Sequence, residues 1–200
     1  MIDSLSSFRT TFSYHRDQTV WEVREEGASA AAARVRRPGP PEAKVPCEVY
    51  AGPRLDQFVG LVTAKDAAGP DRTLVGRVHS DAHPNPFKDR VRVEQFGLAV
   101  LEGKASGLGS LLRNSVGRFN FDSAMGDLVA PLTLRFSGPE GAAFELTRHA
   151  GPLSRFDVKV SDPRVSRLLV LSVVRLFELK TGGLDPRKLG ARMGGLFGRG

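Results

Sequence analysis

The sequence predicts a mainly β fold: a closed antiparallel barrel of roughly twelve strands around one hydrophobic helix near the C-terminus. Two observations carry this. Through Val160 the chain is a series of short apolar–polar alternations, separated at even spacing by Gly, Pro and Asp turn signals. From Val165 to Leu179 the apolar residues instead cover nearly the whole circumference of a helix. At 200 residues the chain can bury a core without disulfides or metal.

The elements follow in order. Residues 1–15 contain Asp3, Arg9 and a run of hydroxyl residues, and read as an N-terminal arm. They lack the apolar core of a signal peptide. The barrel is expected over residues 16–180. Thr19–Arg24 alternates at period two and meets Glu25-Glu26-Gly27, with Ala30–Arg36 as the return strand of a hairpin. Arg37-Pro38-Gly39-Pro40-Pro41 is expected to break that strand, because proline has no N–H for the ladder. Strands are expected next at Cys47–Tyr50, Phe58–Val62 and Leu74–Val78. After a loop holding Pro84 and Pro86 come Arg90–Gln95 and Leu98–Glu102, then a short amphipathic helix at Gly107–Val116. Strands resume at Gly117–Phe121, Leu132–Phe136, Ala143–Thr147 and Arg155–Val160.

Ser161, Asp162 and Pro163 are favoured at a helix start, so the helix is placed over 162–180. Arg164, Arg167, Arg175 and Glu178 interrupt its apolar surface, and Lys180 with Gly182-Gly183 ends it. About a dozen apolar residues at 1.5 Å each fall well short of a bilayer core of roughly 30 Å. The helix must therefore be buried in protein, and the interior of a closed sheet is the natural place.

Lone Cys47 rules out an internal disulfide and fits a reducing, cytoplasmic setting, with no transmembrane segment expected. The net charge of +7 suggests attraction to phosphates on lipid or nucleic acid. Of 29 basic residues 22 are arginine, whose planar fork suits phosphate and carboxylate. A GC-rich bacterial genome produces the same composition, and that plainer reading has the greater weight.

The run Phe156-x-Val158-x-Val160, followed by Asp162-Pro163 and a strongly apolar helix, resembles the end of the tubby C-terminal-like superfamily. Trp21–Gly27 resembles that group's opening hairpin. The resemblance spans about residues 15 to 180 in pattern and is specific only at its C-terminal piece. It implies a twelve-stranded barrel threaded by a hydrophobic helix, and an association with phosphoinositide binding, as in tubby proteins, or lipid movement, as in phospholipid scramblases. The scramblases' cysteine cluster and acidic calcium-binding segment have no counterpart here, and tubby's phosphoinositide positions cannot be placed. An ordinary β-sandwich with a packed helix is the competing architecture.

No catalytic motif is present, so the chain is read as a non-enzyme requiring no cofactor. His79, Asp81 and His83 lie close in sequence, but zinc needs three or four ligands fixed by the fold, and a solvated loop is the simpler account. Gly103-Lys104-Ala105-Ser106 fails as a phosphate loop in both spacing and final residue, and reads as a turn. Phe119 and Phe121 read as core packing, and nucleic acid is an unlikely partner. Residues 181–200 form a basic, Gly-rich tail in which Arg187, Lys188, Arg192 and Arg199 face one acid, Asp185. Contact with an anionic membrane through Arg187, Lys188 and Arg192 is one reading. Glycines 190, 194, 195 and 198 oppose a helix and favour a disordered tail. The leading functional expectation is a module that contacts anionic phospholipid, peripheral to the membrane. The alternative is a scaffold or adaptor for another protein.

Overall fold

A computed structural model of the chain describes residues 2–39, 45–81, 90–106, 131–150 and 155–180. Twelve strands follow in chain order: β1 (Ser7–Tyr14), β2 (Gln18–Glu25), β3 (Ala33–Pro38), β4 (Cys47–Ala51), β5 (Gln57–Val62), β6 (Asp66–Ala68), β7 (Leu74–Asp81), β8 (Arg90–Gln95), β9 (Leu101–Ser106), β10 (Leu132–Gly138), β11 (Gly141–Arg148) and β12 (Arg155–Val160). One helix, α1 (Arg167–Lys180), comes last. Each strand pairs antiparallel with the next, and β1 pairs with β12, so the sheet closes into an up-and-down barrel with no free edge.

The alternation that marks the strands in sequence sorts their side chains. Thr19, Trp21 and Val23 of β2 face inward, as do Ala33, Val35 and Arg37 of β3 and Phe156, Val158 and Val160 of β12. They surround α1, where Leu169, Val170, Leu171, Val173 and Val174 are all fully buried. A helix apolar on every side is stable in water only when wrapped in this way. Two glycines let it approach the wall. A Cβ on Gly60 would lie 2.3 Å from the Ala68 carbonyl oxygen and 2.7 Å from Leu168 Cδ1. One on Gly76 would lie 2.3 Å from the Glu94 carbonyl oxygen and 2.9 Å from Leu169 Cδ2. Among the described residues no helix is long and apolar enough to cross a membrane.

The boundaries depart from the sequence expectation in several places. Residues 1–15 are not an arm: Ser7–Tyr14 is β1, which closes the barrel with Phe8 opposite Val158 and Thr10 opposite Phe156. The helix begins at Arg167 and not at Asp162. Asp162 instead shapes a turn, in which its carbonyl accepts the Val165 N–H at 3.2 Å and its carboxylate the Arg164 N–H at 3.0 Å. The N-terminus of α1 is capped from afar, by Gln95 Oε1 accepting the Ser166 N–H at 2.7 Å. Arg37 and Pro38 continue β3, with Pro38 the last residue of the strand. Gly103–Ser106 is neither turn nor phosphate loop but part of β9, where Gly103 makes room for the Phe136 ring. The helix expected at 107–116, the strand expected at 117–121 and the tail 181–200 lie outside the described residues.

Candidate functional site

The barrel interior is apolar along most of its length, with buried arginines towards both ends of α1. Strand pairing sets Tyr14 opposite Thr19 and Thr19 opposite Arg37, placing one residue each from β1, β2 and β3 in a row. Cys47 of β4 follows at the same end, and α1 delivers its last full turn, with Arg175 and Glu178, into the space these strands enclose. Arg148, near the end of β11, completes the group, within electrostatic reach of the Tyr14 phenol.

Every charged member is removed from solvent. Arg37 is 0% exposed, Arg148 2%, Arg175 3% and Glu178 4%. Glu178 accepts from Arg175 Nη1 one helical turn away and from the Tyr14 hydroxyl at 3.2 Å. Arg37 donates from Nη2 to Thr19 Oγ1 at 2.6 Å, while its Nε and Nη1 meet no acceptor. Two more buried polar atoms on the inward faces of β1 and β2, Thr10 Oγ1 and Trp21 Nε1, are also unpaired. Three guanidiniums and one carboxylate are thus buried in this group of described residues. Burial pushes the Arg37 guanidinium down from its usual range, reinforced by repulsion from Arg175. Burial lowers Arg148 likewise. Arginine nonetheless stays charged in proteins. A buried cation of this kind costs several kcal/mol unless a counter-charge reaches it. Burial also pushes the Cys47 thiol up to about 11, so it is no nucleophile.

The exterior is of another kind, its arginines being largely paired with acids. Arg9 Nε lies 2.7 Å from Asp157 Oδ1, Arg36 Nη2 2.8 Å from Glu48 Oε2, and Arg135 Nη2 3.3 Å from Glu145 Oε2. On the far end of the barrel, a small cleft beside Leu98 and Gly138 is bordered by Arg164, which is held by Asp162 and Glu140.

The residues expected from sequence separate in the structure. His79 and Asp81 both lie on β7, His79 Nε2 3.0 Å from Glu94 Oε2 and Asp81 Oδ2 3.4 Å from Arg92 Nη2. His83 lies outside the described residues, as do Arg187, Lys188 and Arg192. Among the described residues no group of three or more His, Cys, Asp or Glu side chains comes together as a metal site. The interior cluster was missed by sequence reasoning, although two signals for it exist. Arg37 continues the inward alternation Ala33, Val35, and Arg175 with Glu178 forms a charged i, i+3 pair inside an otherwise apolar helix.

No family model matches this chain, and no match was found among curated proteins or solved structures.

Proposed function

We propose that the protein is a non-enzymatic binding module of the tubby C-terminal-like kind that contacts anionic phospholipid headgroups with the end of the barrel where α1 finishes. The observation that carries this reading is where the positive charge collects. Three buried arginines, Arg37, Arg148 and Arg175, gather at that end beside one buried carboxylate, Glu178. In sequence, residues 181–200, which follow α1, carry four basic residues against one acid. An anionic lipid surface attracts basic residues by roughly 1 kcal/mol for each one that comes near it. Twelve strands closed around an interior helix support the superfamily assignment within the proposal.

Sedimentation with anionic and neutral vesicles, at low and physiological salt, tests the reading. The intact chain is expected to sediment with anionic vesicles alone, and less at higher salt. Replacing Arg187, Lys188 and Arg192 together by alanine is expected to weaken that binding. If the intact chain ignores anionic vesicles at both salts, the membrane reading falls and an adaptor for another protein takes its place.

A further inference from the structure

We propose that the end of the barrel where α1 begins is a docking surface for the basic segment 181–200, from the same chain or from a second copy. The inference goes beyond the membrane reading and rests on it only for what competes for that segment.

The surface is built around the connection between β8 and β9. Among the described residues four large hydrophobic side chains are exposed, and two of them, Phe96 at 70% and Val100 at 45%, belong to this one loop. Slack in the backbone does not explain them. The Phe96 N–H donates to the Val75 carbonyl at 3.3 Å and the Leu98 N–H to the Gln95 carbonyl at 3.1 Å, with Gly97 at a φ of +82° completing the turn. Gln95 is itself tied to the chain before α1, its Nε2 donating to the Arg164 carbonyl at 2.8 Å. Leu98 packs against the core, and with Ala99 and Leu101 it lines the small cleft beside Gly138. A firmly held loop thus offers an aromatic ring and a valine to solvent next to an apolar cleft, which is the composition of a contact surface.

Charge identifies the occupant. The connections at this end are residues 2–6, 26–32, 52–56, 69–73, 96–100, 139–140 and 161–166, all of them described. They carry six acids, Asp3, Glu26, Asp56, Asp71, Glu140 and Asp162. Three bases stand against them, Arg54, Arg72 and Arg164. Even with buried Arg167 counted, this end is negative on a molecule of net charge +7. A segment that fits it is basic with apolar anchors. Residues 181–200 have that character in sequence: Arg187, Lys188, Arg192 and Arg199 against Asp185, interleaved with Leu184, Leu189, Met193, Leu196 and Phe197. Opposite charge draws the two together, and apolar contact with Phe96 and Val100 holds them. Length permits it. The 14 residues of α1 separate the two ends by about 21 Å at 1.5 Å each, whereas the segment extends to about 70 Å at 3.3–3.6 Å per residue.

Carbodiimide cross-linking of the intact chain, mapped by peptide mass spectrometry, tests the contact. Lys188 is the one lysine in 181–200. It is expected to join Glu140 or Asp71 in preference to Glu48 and Glu102 on the outer wall, with a yield that falls at high salt. A link within the monomer assigns the segment to its own barrel, and a link confined to a cross-linked dimer assigns it to a second copy. Phe96→Ser combined with Val100→Ser is expected to lower the yield several-fold. Both side chains are exposed, so the fold does not depend on them. No link from Lys188 to this end, links spread evenly over the barrel, or a yield unchanged in the double variant overturns the docking.

Anionic vesicles separate this contact from the membrane reading. Several-fold tighter sedimentation of the double variant supports both, since the freed segment is the one that lipid takes. A cross-link that responds to the double variant, in a chain that ignores vesicles, upholds the docking and ends the membrane reading. Vesicle binding without the cross-link ends the docking and leaves the membrane reading standing.

Discussion

Arg37→Met asks whether the buried Arg37 guanidinium, with Nε and Nη1 unpaired, costs the fold stability. Methionine keeps an unbranched apolar stem and removes the charge. In the native chain Arg37 is fully buried with Nε and Nη1 unpaired, and each such buried group costs about 1–3 kcal/mol, more when charged. Against this stands the 2.6 Å bond to Thr19, whose loss costs about 1 kcal/mol and leaves a buried hydroxyl to find another partner. The balance favours the variant by about 1–4 kcal/mol, comparable to the gain seen when buried ion pairs are replaced by well-packed apolar side chains. For a chain of this size each kcal/mol shifts Tm by about 2–4 °C, so a rise of roughly 2–16 °C is expected. Thermal unfolding followed by circular dichroism and Trp21 fluorescence measures it. A variant destabilised by more than about 2 kcal/mol would refute the reasoning, because Arg37 would then hold counter-charge in the free protein.

Other consequences are open to measurement. Gly76→Ala sets a Cβ 2.3 Å from the Glu94 carbonyl oxygen, which only backbone movement between β7 and β8 can relieve. A loss of about 1–3 kcal/mol in urea unfolding is expected, and a neutral result would mean that α1 does not press on β7. Cys47, buried with its pKa near 11, is expected to ignore a thiol reagent at pH 8 until the chain is unfolded by denaturant. Burial alone would raise the pKa of Asp157, but hydrogen bonds from Arg9 and His149 outweigh it and hold the carboxylate below its usual range. A depressed carboxylate contributes stability above its unfolded pKa and loses it as the pH falls through the lower folded value. Asp157→Asn is therefore expected to be less stable than wild type at neutral pH, and to approach it only below about pH 4. Equal differences at pH 7 and pH 3 would count against the carboxylate.

How much of this was legible in the sequence depended on how locally each feature is encoded. Strands with a clean inward alternation, such as Thr19-Trp21-Val23 and Phe156-Val158-Val160, announced themselves, as did a helix with apolar residues on every side. β1 did not. Its inward residues are Phe8, Thr10 and Phe12, and the hydroxyl in the middle makes the run look like a polar arm until pairing with β12 buries it. β6 is three residues long, with only Ala67 facing in, too short for any periodicity. The start of α1 was misplaced because its cap comes from Gln95, far away in the chain, while the nearer Asp162 is taken up by a turn. The arginine cluster combines β1, β2, β3, β11 and α1, and no single stretch of sequence contains more than a fragment of it.

The two ends of α1 separate the demands of folding from those of binding. At the N-terminal end a buried arginine, Arg167, has its donors shared among three backbone carbonyls, and Gln95 and Asp3 reach in to accept N–H groups of Ser166 and Arg167. That end is complete as it stands. At the C-terminal end the negative pole of the helix favours cations, which accounts for Arg175 but for neither Arg37 nor Arg148 on the wall opposite. Packing does not require them either, since an apolar residue at Arg37 would extend the inward series of Ala33 and Val35. A fold that gives one buried arginine three backbone acceptors and leaves another with idle donors carries a cost at the second position.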